Sequence, residues 1–164
     1  MGTSRRIDEA YMLPKLTKRM DKVLKVSQRI ARDYGQEYVG TEHILLAILE
    51  EGTGMAVEIL HDAGIDLGQV KTVVDKLMRK SLEDTWVFGR LPGTPHFRNV
   101  IEGAINEAQR FSSGVVCSEF MLAALLREEG SVAHSTLLEL GVTSEKIRDE
   151  ISKRRGDAQQ HAAG

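Results

Sequence analysis

The chain repeats itself at a fixed spacing, and any fold it adopts must accommodate that duplication. Val39-Gly40-Thr41-Glu42-His43-Ile44-Leu45-Leu46 returns 77 residues later as Val116-Cys117-Ser118-Glu119-Phe120-Met121-Leu122-Ala123. The spacing holds without a gap: Thr17 meets Thr94, Val23 meets Val100, Ala31 meets Ala108, Leu60 meets Leu137 and Gly64 meets Gly141. From Leu16 to Asp66, 12 of 51 positions are identical under this shift, where unrelated stretches would share about 3, so the chain contains a duplicated structural unit. A duplication with no catalytic signature favours a binding module.

Apolar periodicity reads as helix almost throughout. From Leu16 to Tyr34 the apolar residues fall near a 3.6-residue period, with Lys18, Lys22, Lys25 and Arg29 left for solvent and Gly35 as the stop. Thr41 has the chemistry to cap a short apolar helix from Glu42 to Leu49. A third helix, Met55 to Ala63, closes at Gly64, and Asp66 with Gln69 makes a capping box for a fourth that ends near Lys80. In the second copy Thr94 caps and Pro95 opens the first helix, Ser118 caps the second, Gly141 stops the third, and Thr143 caps a last helix to Arg155. The expected fold is all-α: two four-helix repeats, about eight helices, packed as one domain and related by a rotation of about 180°. The segments are residues 1–13, an N-terminal extension; 14–80, the first repeat; 81–93, a linker; 94–155, the second repeat; and 156–164, a polar tail expected to be disordered. Trp86 and Phe88 give the linker an apolar middle, which favours docking against the repeats.

Composition and motifs exclude most chemistry. With 164 residues the chain can bury a core without metal or disulfide, and its single cysteine, Cys117, has no internal partner. A net charge of −2 and a pI near 6.2 argue against nucleic acid and anionic membranes as partners. No apolar run approaches a membrane span, so a soluble cytoplasmic protein is expected. The Gly52-Thr53-Gly54-Met55-Ala56-Val57 stretch lacks the third glycine and the preceding strand of a dinucleotide loop, and no Walker-type phosphate loop occurs. The histidines His43, His61, His96, His134 and His161 lack metal-ligand spacing. Neither a metal nor a cofactor is expected, and Cys117 reads as a small residue at a tight turn. Glu42 and His43 as an acid–base pair is a poor geometry, because adjacent helical residues point about 100° apart.

What remains is the pair of helix starts, Thr41-Glu42 and Ser118-Glu119. Two readings of them stand side by side. A hydroxyl cap followed by a first-turn acid stabilises a helix by roughly 1 to 2 kcal/mol and needs no ligand. Alternatively, the carboxylate grips a guanidinium while helix amides accept an attached phosphate.

The Gly40-Thr41-Glu42-His43-Ile44-Leu45-Leu46 stretch, the following Glu51-Gly52-Thr53-Gly54, and Thr94-Pro95 resemble the Clp N-terminal domain of ClpA-, ClpB- and ClpC-type AAA+ unfoldases, over about Leu16 to Arg155. The resemblance implies a non-catalytic domain that recruits substrate proteins or adaptors to a Clp ATPase ring or protease core. It also implies, by similarity to ClpC-type members, phosphoarginine recognition by Thr41 and Glu42, and at the second copy by Ser118 and Glu119. Cys117, Ser118 and Phe120 depart from that pattern, which weakens the second site. An excised part of an unfoldase and a stand-alone accessory protein, such as those of the plant plastid stroma, both fit.

Overall fold

The computed structural model describes residues 14–78 and 93–163, with side chains through Gly156. In chain order these form β1 (Lys15–Leu16), α1 (Lys18–Asp33), α2 (Thr41–Glu51), α3 (Met55–Asp62), α4 (Leu67–Met78), α5 (Pro95–Arg110), β2 (Val115–Val116), α6 (Ser118–Arg127), α7 (Val132–Glu139) and α8 (Ser144–Ala163). Four helices of the first copy recur in the same order in the second, as the repeat requires. The extension at 1–13 and the Trp86 and Phe88 segment lie outside the described residues.

Most helix ends follow from local chemistry. Thr17 accepts the Met20 N–H at 3.2 Å to start α1, and its copy Thr94 accepts from Phe97 at 3.0 Å to start α5, with Pro95 in the first turn. Asp66 and Gln69 form the expected box ahead of α4, each backbone N–H donating to the other's side chain at 3.0 and 2.9 Å. Both third helices close alike, Ile65 N–H donating to Leu60 C=O at 2.9 Å and Val142 to Leu137 at 2.8 Å. One boundary is corrected. The last helix continues past Arg155 to Ala163, because the tail that reads as disordered is also rich in alanine and glutamine and has no proline to break it.

The core is organised around α2 and α6. Every residue from Thr41 to Leu49 and from Ser118 to Leu126 is buried, and a helix covered on all faces can only lie inside. Helix α1 covers α2 with Met20, Val23 and Ile30, and α5 covers α6 with Val100, Ala104 and Ala108. Where Ile30 sits in the first copy, α5 carries buried Glu107. Burial alone would raise that carboxyl's pKa, but hydrogen bonds from Arg127 at 2.8 Å and Arg148 at 2.7 Å hold it below the usual range. The repeats interlock, for α3 packs on α6 of the other copy and α7 on α2.

The backbone repeats this exchange. Strands β1 and β2 pair in parallel, Lys15 opposite Val115 and Leu16 opposite Val116, and the copy-related bridge joins Val39 to Gly93. Thr17 N–H donates to Val116 C=O at 3.3 Å and Thr94 N–H to Val39 C=O at 3.0 Å. Each repeat's lead into its first helix is thus pinned to the other repeat's lead into its second.

Thr41 and Ser118 do not cap their own helices as expected. Gly40 and Cys117 hold the N-cap positions, and both hydroxyls reach across the interface: Thr41 Oγ1 accepts the Ala133 N–H of α7 at 3.1 Å, and Ser118 Oγ accepts the Ala56 N–H of α3 at 3.2 Å. A first-turn side chain leans toward the helix N-terminus, and there the start of the other copy's third helix brings an N–H with no partner of its own. Helix α3 depends on this, since its N-cap is Gly54, at φ 98°, which has no side chain to offer. A Cβ at Gly54 would also crowd Ser118 Oγ and Arg19.

Replacing Ser118 by Ala should strand the Ala56 N–H and lower the unfolding free energy by about 1 to 2 kcal/mol. Thr41→Val should cost less, because α7 keeps Ser131 as its own cap on His134 N–H. Urea unfolding of the two variants checks this, and a Ser118→Ala curve identical to the parent's would contradict it.

Candidate functional site

The structure brings the four sequence-predicted residues to two copy-related corners. The first is the turn into α2, Gly40 to His43; the second is the turn into α6, Cys117 to Phe120. Each corner is built from both repeats, through the crossed hydrogen bonds of Thr41 and Ser118.

At the first corner the Glu42 side chain lies back over Gly40, filling space that a Cβ would need, and the residue is 7% exposed. Among the described residues no lysine or arginine comes within ion-pair distance of it. Its ring neighbour is His43, with Nδ1 3.3 Å from Glu42 Oε1. That contact is not an ion pair. His43 Nδ1 accepts the Gly40 N–H at 2.8 Å, which puts the ring proton on Nε2, and burial drives the ring's pKa down to about 4. Burial also raises the pKa of Glu42, opposed by its own backbone N–H and by His96. His96, in the first turn of α5, sits 2.7 Å from Glu128, which also accepts from Asn99 at 2.9 Å. Burial would raise the Glu128 pKa, but hydrogen bonds from Asn99 and His96 hold it below the usual range. His96 is thus held by Glu128 and acts on Glu42 only through its charge, and a buried carboxylate with no lysine or arginine among the described residues is a place where a cation binds with most gain. An open concavity of about 600 Å³, lined by Tyr38, Gly93, Thr94, Pro95 and Arg98, adjoins this corner in the chain.

The second corner has the same backbone and different chemistry. Cys117 stands where Gly40 stands, so its Cβ takes the space that the Glu42 carboxylate occupies in the first copy. Glu119 turns instead to Arg155 of α8, with Nη1 3.2 Å from Oε2. Phe120 replaces His43, and the Arg155 guanidinium lies 4.7 Å from its ring centre. Arg19 closes the Ser118 side, bonded to Thr53 at 2.9 Å and 3.7 Å from Glu51. Burial, with Glu119 adding and Arg155 opposing, pushes the Cys117 thiol's pKa up, which is the reverse of an activated nucleophile.

Sequence reasoning weighed His43 only as an acid–base partner or metal ligand and His96 only as a metal ligand, and it did not single out Arg19 or Arg155. The Gly40–His43 bond is the returning half of a capping box, with histidine in the place of the usual Glu or Gln and no side chain on Gly40 to complete it. The Arg155 contact, 36 residues from Glu119, has no local signal. Among the described residues no cluster of His, Cys, Asp or Glu is placed to hold a metal, and no helix is long and apolar enough to cross a membrane. A larger concavity, about 660 Å³, lies between the end of α3, the α7–α8 turn and α8, and its Arg154 is next in the chain to Arg155 of the second corner. Arg154 is committed to Asp62 and Glu150.

Comparison with known proteins settles the family. A model of the Clp repeat N-terminal domain matches residues 15–87 and 92–163, one copy each. The chain belongs to that family. It is 33% identical over 156 residues to the chloroplastic chaperone protein ClpC1 of Arabidopsis thaliana, covering 95% of this chain but 17% of that relative's length. The N-terminal domain of ClpD from A. thaliana superposes with a TM-score of 0.71 at 18% identity, covering 87% of this chain and 95% of that one. A ClpV N-domain in complex with a VipB peptide gives 0.65 at 18% identity, covering 84% and 85%. These likenesses agree with the duplicated all-helical fold.

The His43 ring makes stability pH-dependent in a stated direction. Its pKa falls from 6.5 to about 4 on folding, so the stabilisation it provides is present above pH 6.5 and is lost as the pH drops through that window, by up to about 3 kcal/mol. The raised pKa of Glu42 acts oppositely, relieving a charge penalty at low pH. Urea unfolding at pH 7, 5.5 and 4 should show a steeper acid loss for the parent than for His43→Gln, which keeps an acceptor for the Gly40 N–H. Identical pH slopes would contradict the assignment.

Proposed function

We propose that this chain is a non-catalytic protein-recognition module that presents substrate proteins or adaptors to a Clp ATPase, and that its first corner seats the guanidinium of a phosphorylated arginine. The observation that carries the reading is Glu42: buried, with a raised pKa, and without a lysine or arginine partner among the described residues. The same carboxylate in the second copy holds a guanidinium from the chain itself, which supports a guanidinium as the group that suits this position. The starts of α2 and α7 meet at Thr41, and two helix N-termini favour the phosphate of such a ligand. That a fold neighbour, a ClpV N-domain, is complexed with a VipB peptide supports peptide capture as the use of this fold.

The absence of a Walker-type loop from the sequence and the raised thiol pKa of Cys117 support a role without turnover. Pure protein is expected neither to hydrolyse ATP nor to cleave peptide, and turnover abolished by a point substitution in this chain would overturn that.

Phosphoarginine titrated by calorimetry is expected to bind. Glu42→Gln should weaken it about 10- to 100-fold, the equivalent of about 1.5 to 3 kcal/mol for a charged hydrogen bond. Unchanged affinity in Glu42→Gln, or a parent that does not bind, overturns the phosphoarginine reading and leaves the wider one standing.

A further inference from the structure

Two of the differences between the second corner and the first, at Cys117 and Phe120, bear on how Glu119 and Arg155 meet there. Cys117 in place of Gly40 denies Glu119 the fold-back that Glu42 takes. Phe120 in place of His43 offers an aromatic face. Arg155 stands 77 residues after Met78, and α8 carries it onto that face and that carboxylate, 4.7 Å from the ring centre and 3.2 Å from Glu119 Oε2. Phe120 is itself held by Phe111, their ring centres 5.6 Å apart. A carboxylate on the edge and an aromatic ring on the face are the two partners a planar guanidinium takes.

We propose that the second corner is a guanidinium seat occupied by the chain's own Arg155, and that an arginine-bearing segment of another protein takes the seat when α8 releases it. The inference rests on reading the first corner as a guanidinium site and adds that the two corners are not used alike: among the described residues the first holds no lysine or arginine, and the second is self-occupied. Arg155 is only a quarter exposed, and its side chain shares α8 with Arg154, which ties the same helix to Asp62 and Glu58 of α3. Loosening of α8 from α3 and α6 therefore frees the seat. A planar guanidinium is the shared chemistry, and phosphorylated or unmodified arginine are its two sources.

The test uses the 164-residue chain with Arg155→Met, which copies Met78 of the first repeat. Phosphoarginine and N-acetyl-arginine amide are titrated separately while the backbone amides of Gly40 to His43 and of Cys117 to Phe120 are followed by NMR. The parent should respond at the first corner only. Arg155→Met should respond at both, the calorimetric stoichiometry rising from one to two, and adding Glu119→Gln should abolish the second response. Arg155→Lys, which keeps the charge without the flat fork, should open the second corner at least tenfold more easily than the parent and serves if the Met variant does not fold. A folded Arg155→Met that never responds at Cys117 to Phe120 overturns the proposal, as does a parent that fills both corners with equal affinity. If the second corner responds in the variant while the first is silent in the parent, the reading of the first corner fails and this one stands. If the first corner responds and the second never does, this proposal fails and the reading of the first corner stands.

Discussion

Two backbone N–H groups, Ala56 in α3 and Ala133 in α7, hold this architecture in register. Each begins a short helix inside the protein, and each takes its acceptor from the opposite repeat, Ser118 and Thr41. A buried donor left unpaired costs about 1 to 3 kcal/mol, so each third helix is stabilised by the other repeat, α3 the more because Gly54 gives it no side-chain cap of its own while α7 has Ser131. The crossed strand pairings, Leu16 with Val116 and Val39 with Gly93, enforce the same dependence from the backbone side. The duplication is therefore one interlocked unit with a main apolar core drawn from both copies and a small second cluster of Ala31, Val39 and Phe97.

That interlock also decides where chemistry can sit. With Thr41 and Ser118 committed to the partner repeat, the next residue in each turn, Glu42 or Glu119, is left as a buried carboxylate at the junction of two helix starts. The two copies then resolve the same electrostatic problem differently. In the first, Gly40 lets the carboxylate fold back over the backbone, His43 spends its lone pair on the Gly40 N–H, and among the described residues no cation arrives. In the second, Arg155 neutralises the charge. Removing a carboxylate from water without a counter-charge is costly unless the proton affinity rises or a cation is supplied, and the raised pKa of Glu42 is the sign of the first outcome.

Much of the fold was legible because its signals are local. The Asp66–Gln69 box, the Thr94-Pro95 start and the paired stops at Gly64 and Gly141 lie within a few residues of what they determine, and the 77-residue shift carries the reading from one copy to the other. Ser and Thr before an apolar run look the same whether they cap their own helix or another's, and the partners of Thr41 and Ser118 are 92 and 62 residues away. The two-residue strands are too short to show a period. Glu42 and Glu119 were legible as an unequal pair from the departures at Cys117, Ser118 and Phe120, but the ion pair that fills the second was not, because Arg155 arrives from another helix. The family resemblance pointed to these residues, and the distances separated them.

Whether the buried Glu42 carboxylate is suited to a cation is read most directly from its side-chain carboxyl ¹³C resonance. Followed against pH in the free chain, the resonance should titrate above the ordinary glutamate value of about 4.3, and the midpoint should fall when phosphoarginine is bound, since a guanidinium favours the charged form. A Glu42 carboxyl that ionises at or below the ordinary value in the free chain, and does not move with ligand, would contradict the account.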